Sequence, residues 1–311
     1  MFSALTIILP IFALIFAGWL ARRCNVLSAS ATSELNRFVV YLALPALLFD
    51  IIAHASWSEI WLPGFITAFG VGTLLLFVLT VLLRLRKPRH LADAAIDGLN
   101  AGYANVGFIG FPLLATVLGK EALAPTLIAT ILTVCVLFAF AIILIEISLQ
   151  TETRQTHLIR KVGGQLIRNP LVIAPLVGAL VPLTGIHIPQ SADTFLKLLG
   201  GAAAPCALVT LGLFLAEKRD TSERDNLTTT LLVALKLIVH PVITWVLASL
   251  VLHLPPLLTH SAVLLAALPT GTGHFMLAEF YQREATATSN SILISTIISL
   301  LTISGYLVLI S

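Results

Sequence analysis

The residues able to do chemistry in this apolar chain are few, and they gather in two short clusters. Asn105, Gly107, Gly110 and Pro112 lie in GLNAGYANVGFIGFPLLATVLG, and Pro269, Gly271, Gly273 and His274 lie in AALPTGTGHFMLAEF. Each cluster interrupts a stretch whose composition otherwise favours helix. Proline removes a main-chain donor, and each glycine costs about 1 kcal/mol against alanine inside a helix. Both stretches are therefore expected to break near these residues. Main-chain groups freed at membrane depth are tolerated only where protein or a water-filled cavity answers them. Paired breaks in corresponding helices are a sequence pointer to a binding site, because half-helix N-termini offer partial positive charge. The bland reading is that Gly and Pro only let helices kink or pack closely. Asn105 can cap a half-helix and hydrogen-bond a carboxylate or hydroxyl, or it can be plain interhelical glue. His274 is a ligand donor, a proton-coupling group, or a neutral ring satisfied by freed carbonyls.

Ionisable residues within apolar stretches are expensive and usually have a role, and three of them stand out. Lys236, in LLVALKLIVHP, is placed to neutralise an anion or an internal carboxylate, or to act as a structural counter-ion. Asp50 and Glu146 lie toward the ends of their stretches and read as interfacial carboxylates, with ion or proton coupling as the functional alternative. Cys24, Cys135 and Cys206 are far apart and read as packing residues, so neither a metal nor a disulfide framework is expected. The sequence holds no nucleophile elbow, zinc-helix pair, phosphate loop or nucleotide fingerprint. An enzyme and a cofactor are both unexpected, and any active process must draw on a gradient.

These residues must be positioned by helices in lipid. Of 311 residues, 58% are hydrophobic and 11% charged, and the mean hydropathy is +1.01. A soluble chain does not have this balance. A spanning helix needs roughly 20 apolar residues. Ten such windows run near Ser3 to Arg22, Leu35 to Ala53, Ile60 to Leu83, Asp93 to Leu118, Ala122 to Leu149, Asn169 to Thr184, Ala192 to Glu217, Leu227 to Leu252, Leu258 to Tyr281 and Ala285 to Ile310. The expectation is one all-α polytopic membrane domain over 1–311. Basic residues concentrate in alternate loops, around Arg22, Arg84, Arg160 and Arg219. Those loops should face the cytoplasm, with both termini periplasmic. The net charge of +3 reports this topology rather than a nucleic-acid partner. Five windows per half, an odd number, means that related halves are inverted. Repeat one is read as 1–150, repeat two as 165–311, with a short cytoplasmic linker at 151–164. Pro45 in LALPALLF and Pro205 in AAAPCALV occupy matching places.

The segments LNRFVVYLALPALLF, NVGFIGFPLL, APCALVTLGLFLA, LKLIVHP and AALPTGTGHFMLAEFY resemble the signature stretches of auxin efflux carriers, in order and over nearly the whole chain. The resemblance implies ten transmembrane helices in a fold similar to bile-acid symporters and sodium-proton antiporters. In that fold the fourth and ninth helices cross at the substrate and a crossing-helix domain moves like an elevator. Asn105 and Pro112 fall on the first crossover, and Pro269, Gly271 and His274 on the second, where plant members carry proline in place of His274. Bacterial members of this length imply a small organic anion such as malonate or malate, an inner-membrane location, possible coupling to proton or sodium, and a homodimer. Rival readings are a cation/proton antiporter or sodium-coupled symporter on the same fold, and a membrane sensor that carries no flux.

Overall fold

The computed structural model describes residues 2–28, 30–54, 61–86, 89–149, 168–216 and 223–310. The expected linker at 151–164 and the basic residues Arg160 and Arg219 lie outside them. In chain order the helices are α1 (Phe2–Arg23), α2 (Ala31–Ala53), α3 (Pro63–Leu85), α4 (Leu91–Gly102), α5 (Phe111–Val117) and α6 (Lys120–Ser148). They continue as α7 (Pro170–Thr184), α8 (Gln190–Ala216), α9 (Asn226–Val251), α10 (Pro256–Ala267), α11 (Gly273–Phe280) and α12 (Ala285–Ile310). Six of them, α2, α3, α6, α8, α9 and α12, are long and apolar enough to cross a membrane, and α7 and α10 are shorter apolar helices. The fourth window is divided into α4 and α5, and the ninth into α10 and α11.

The divisions differ from the expectation in one respect. The first falls at Tyr103–Asn105, directly after Gly102 and ahead of Gly107, Gly110 and Pro112. Gly107 and Gly110 are wound into a π-helical turn, Val106–Gly110, that leads directly into α5. A π turn widens the helix by one residue. The chain absorbs the missing N–H of Pro112, the second residue of α5, in that way rather than by unwinding. The second division spans Leu268–Thr272, as expected. Leu268 is extended, with φ −58° and ψ 150°, the conformation that a following proline imposes. Gly273 and His274 are the first residues of α11 rather than part of the break.

Two groups of helices can be distinguished by what packs on what. In one, α1, α2, α7 and α8 lie against each other. A Cβ on Gly212 of α8 would come within 2.8 Å of the Trp19 nitrogen on α1, so the two backbones touch. Small residues at such crossings supply the van der Waals contact that drives helix association in lipid. In the other group, α3, α6, α9 and α12 pack around the two divided helices. One end of this second group is tied by buried charge. Asp97 of α4, with no exposed surface, meets Arg84 Nε at 2.7 Å and Arg89 Nε at 3.2 Å. Arg89 also pairs with Glu284 just before α12, and Arg84 donates to Thr228 of α9 at 3.0 Å. Arg84, expected as a loop charge, is instead buried against Asp97.

Removing one member of such a cluster leaves its partners charged and buried, which typically costs about 3–5 kcal/mol. Asp97→Ala should therefore lower the apparent melting temperature in detergent steeply. An unchanged melting curve by circular dichroism would show that the cluster does not hold α3, α4 and α12 together.

Candidate functional site

The two interruptions cross and pair with each other. The Asn105 N–H donates to the Pro269 carbonyl at 2.9 Å, and the Gly271 N–H donates to the Tyr103 carbonyl at 3.0 Å. Ala104 and Thr270 thus form an isolated antiparallel β-bridge. Each break supplies the partners that the other lacks, which is how unwound backbone survives away from water.

Two of the carbonyls at the C-terminal ends of α4 and α10 are answered by side chains. The Thr270 hydroxyl donates to the Asn100 carbonyl at 3.0 Å. Lys236, fully buried in a π turn of α9, donates from Nζ to the Ala266 carbonyl at 2.6 Å. It also lies 3.1 Å from His240 Nδ1, and His240 Nε2 is 3.0 Å from the Thr73 hydroxyl. Lys236 is therefore a cap on the last turn of α10, where positive charge opposes the helix dipole. It neutralises a helix end, and no internal carboxylate meets it among the described residues.

A polar chain behind the crossing fixes its parts. Asn100 spends its Nδ2 on the Ile96 carbonyl and the Thr288 hydroxyl, so its Oδ1 accepts from His274 Nε2 at 2.9 Å. The Thr270 N–H donates to the Ser295 hydroxyl at 3.1 Å. Sequence reading missed Asn100, Thr270, Thr288 and Ser295. The available signal was polar residues on the apolar windows flanking each break, and single polar residues there read as glue.

Tyr103 holds the crossing from the other side. Its ring lies against the second break, where a Cβ on Gly271 would be 2.8 Å from the ring Cε1 and one on Gly273 would be 2.9 Å from Cζ. Its centroid is 5.5 Å from that of His274. These glycines are required because an aromatic ring occupies the space of a side chain.

The N-terminal ends are treated differently. The N–H groups of Gly107, Thr272 and Gly273 find no partner among the described residues, and neither half-helix has a side-chain cap. Asn105 does not cap as expected. It is 5% exposed, and its side-chain amide is left without a hydrogen bond among the described residues. All four residues line a cavity of about 70 Å³, enough for several waters at roughly 10–15 Å³ each. Leu44 and Leu47 of α2 and Ala203, Ala204 and Ala207 of α8 close it, so it lies between the two helix groups. No ionisable side chain other than the Tyr103 phenol lines it among the described residues.

Of the expected site residues, Asn105, Gly107, Gly271 and Gly273 meet at this cavity. Gly110 faces Leu265 and Leu268 instead, Pro269 contributes its carbonyl to the bridge, and His274 sits behind Tyr103. The Pro112 side chain lies outside the described residues. Asp50 and Glu146 are elsewhere. Glu146 accepts from the Tyr281 hydroxyl at 2.6 Å. Asp50 lies 3.0 Å from His54 Nδ1 at the end of α2, with Asp193 of α8 on the far side of the ring.

Sequence comparison fits this geometry. A family model described as membrane transport protein matches residues 3–307. The chain belongs to that family. Its relatives include a Rhizobium meliloti (strain 1021) protein named "Putative malonate transporter", 30% identical over 98% of this chain and 95% of its own. An "Uncharacterized transporter YfdV" of Escherichia coli (strain K12) is 26% identical over 90% of both chains. "Auxin efflux carrier component 8" of Arabidopsis thaliana is 20% identical over 96% of this chain and 94% of its own. The chain is a multi-pass membrane transporter of the auxin efflux carrier family and not an enzyme.

Gly271→Ala should force the Tyr103 ring aside and cost about 1–3 kcal/mol of stability, the usual range for overpacking. Adding Tyr103→Ala should return part of that loss, a positive coupling in a double-mutant cycle followed by thermal denaturation. Strict additivity of the two changes would mean that the ring does not dictate glycine there.

Proposed function

We propose that this protein is a secondary active carrier of small organic anions, mono- or dicarboxylates, bound where the two divided helices cross. One observation carries the reading. At the crossing the carbonyls of Asn100, Tyr103, Ala266 and Pro269 accept from Thr270, Gly271, Lys236 and Asn105, whereas the N–H groups of Gly107, Thr272 and Gly273 are left open to a cavity with the Asn105 amide. The open ends are the positive ends of helix dipoles, and they favour an anion. A cation/proton antiporter would need acidic ligands there, and none lines the cavity among the described residues. The name of the Rhizobium meliloti relative points to malonate as the first compound to try.

Transport in this reading is elevator-like. The group of α1, α2, α7 and α8 stays still while the group around the crossing slides past it, carrying the anion. Support comes from the cavity's position between the groups and from its apolar wall of Leu and Ala residues. The ion pairs of Asp97 join helices within the moving group only. The ten-helix inverted repeat, 1–150 against 165–311, belongs to the same proposal, supported by divided helices at corresponding places in the two halves. So do an inner-membrane location with both termini periplasmic, coupling to proton or sodium, and a homodimer.

A ligand that binds only the folded protein raises its apparent stability, by about 2.7 kcal/mol at a hundredfold excess over Kd. Malonate should raise the melting temperature of the purified protein, and Asn105→Ala should abolish that rise while the ligand-free protein melts as before. Reconstituted vesicles should take up labelled malonate under an imposed gradient. No flux under either a proton gradient or a potential would reject the carrier, and an intact shift in the Asn105 variant would move the site elsewhere.

A further inference from the structure

Resting on the carrier reading, we infer that the crossing site takes its substrate as a monoanion, so that a dicarboxylate enters with one carboxyl group protonated. The positive potential available at the site comes from two half-helix N-termini, the turn at Val106–Gly107 and the start of α11. Each such terminus is equivalent to roughly half an elementary charge, so together they balance about one negative charge. The C-terminal ends of α4 and α10 meet at the same crossing with the opposite potential, and Lys236 beside them offsets it, so the net stays near one positive charge. No Lys, Arg or His lines the cavity among the described residues. Lys236, the fully buried lysine beside the crossing, is already engaged by the Ala266 carbonyl.

A second, independent feature marks the place as a ligand site. The Asn105 side chain is 5% exposed, has no hydrogen bond among the described residues, and borders the cavity together with the open N–H groups. These donors suit one carboxylate. The opposite wall is apolar, with Leu44, Leu47 and Ala207. A second ionised carboxylate pressed against it would lose hydration on that side without gaining a partner, and burying an unpaired charge is unfavourable. A protonated carboxyl group carries no such penalty and fits beside the Asn105 amide. The species selected is therefore the hydrogen dicarboxylate, or a plain monocarboxylate.

The test uses the full chain in proteoliposomes and two probes, malonate and its monomethyl ester, which holds a single carboxylate at every working pH. Initial uptake rates are measured across a pH series that extends above the second pKa of malonate. The KM for total malonate should rise about tenfold per pH unit above that pKa, as the monoanion fraction falls. The KM for monomethyl malonate should stay level, and the ratio of the two constants removes any pH dependence of the protein itself. A level ratio, or transport of malonate with exclusion of the monoester, overturns the monoanion inference while leaving the carrier intact. Uptake of neither compound at any pH overturns the carrier reading and this inference with it.

Discussion

The structure depends on one constraint: main-chain polar groups away from water must have partners. Two helices of this protein stop midway, and each stop frees donors and acceptors that lipid cannot satisfy. The chain meets the demand by laying one interruption across the other, so that Asn105 and Pro269, and Tyr103 and Gly271, exchange main-chain hydrogen bonds. The neighbouring residues follow from that crossing. Gly271 and Gly273 leave room for the Tyr103 ring, Asn100 and His274 tie the two segments from behind, and Lys236 is drawn into the interior to meet a carbonyl that has lost its helical partner.

The satisfaction is lopsided, and the proposed function rests on the asymmetry. The carbonyls of Asn100 and Ala266 are closed by protein donors, while the N–H groups of Gly107, Thr272 and Gly273 face a cavity between two groups of helices. A site built from helix N-termini carries positive potential without mobile cations. Under the proposed anion binding, such a site needs no strong, slowly released ion pair. The cluster of Asp97, Arg84, Arg89 and Glu284 serves the other requirement, that the helices around the crossing keep their arrangement if they move together.

Much of the local chemistry was legible and some was misassigned, for physical reasons. Glycine and proline signal where a helix is weak, not where it yields. Pro269 ends α10 because its neighbour Leu268 is forced out of the helical region. Pro112, Gly107 and Gly110 mark an equally weak stretch, yet it stays wound as a π turn and α5, and the chain parts instead at Tyr103–Asn105, where the opposing segment supplies hydrogen bonds. Lys236 was recognisable as costly and therefore engaged, but a carbonyl thirty positions along the chain was not a partner that sequence could name. Arg84 looked like a loop charge because it closes an apolar helix, and only packing against Asp97 makes it an interior residue.

Composition and periodicity alone determined that the chain lives in lipid, that it is helical, and that its fourth and ninth apolar stretches are weak points with polar residues beside them. Those properties depend on residue type and near neighbours, which a linear string records. Tertiary structure alone decided where the first stretch opens, and which orphan groups are closed and which are left free at the cavity. Such outcomes are set by hydrogen bonds between residues more than 150 positions apart, Tyr103 with Gly271 and Asn100 with His274. No local pattern specifies those pairings until the two helices have crossed.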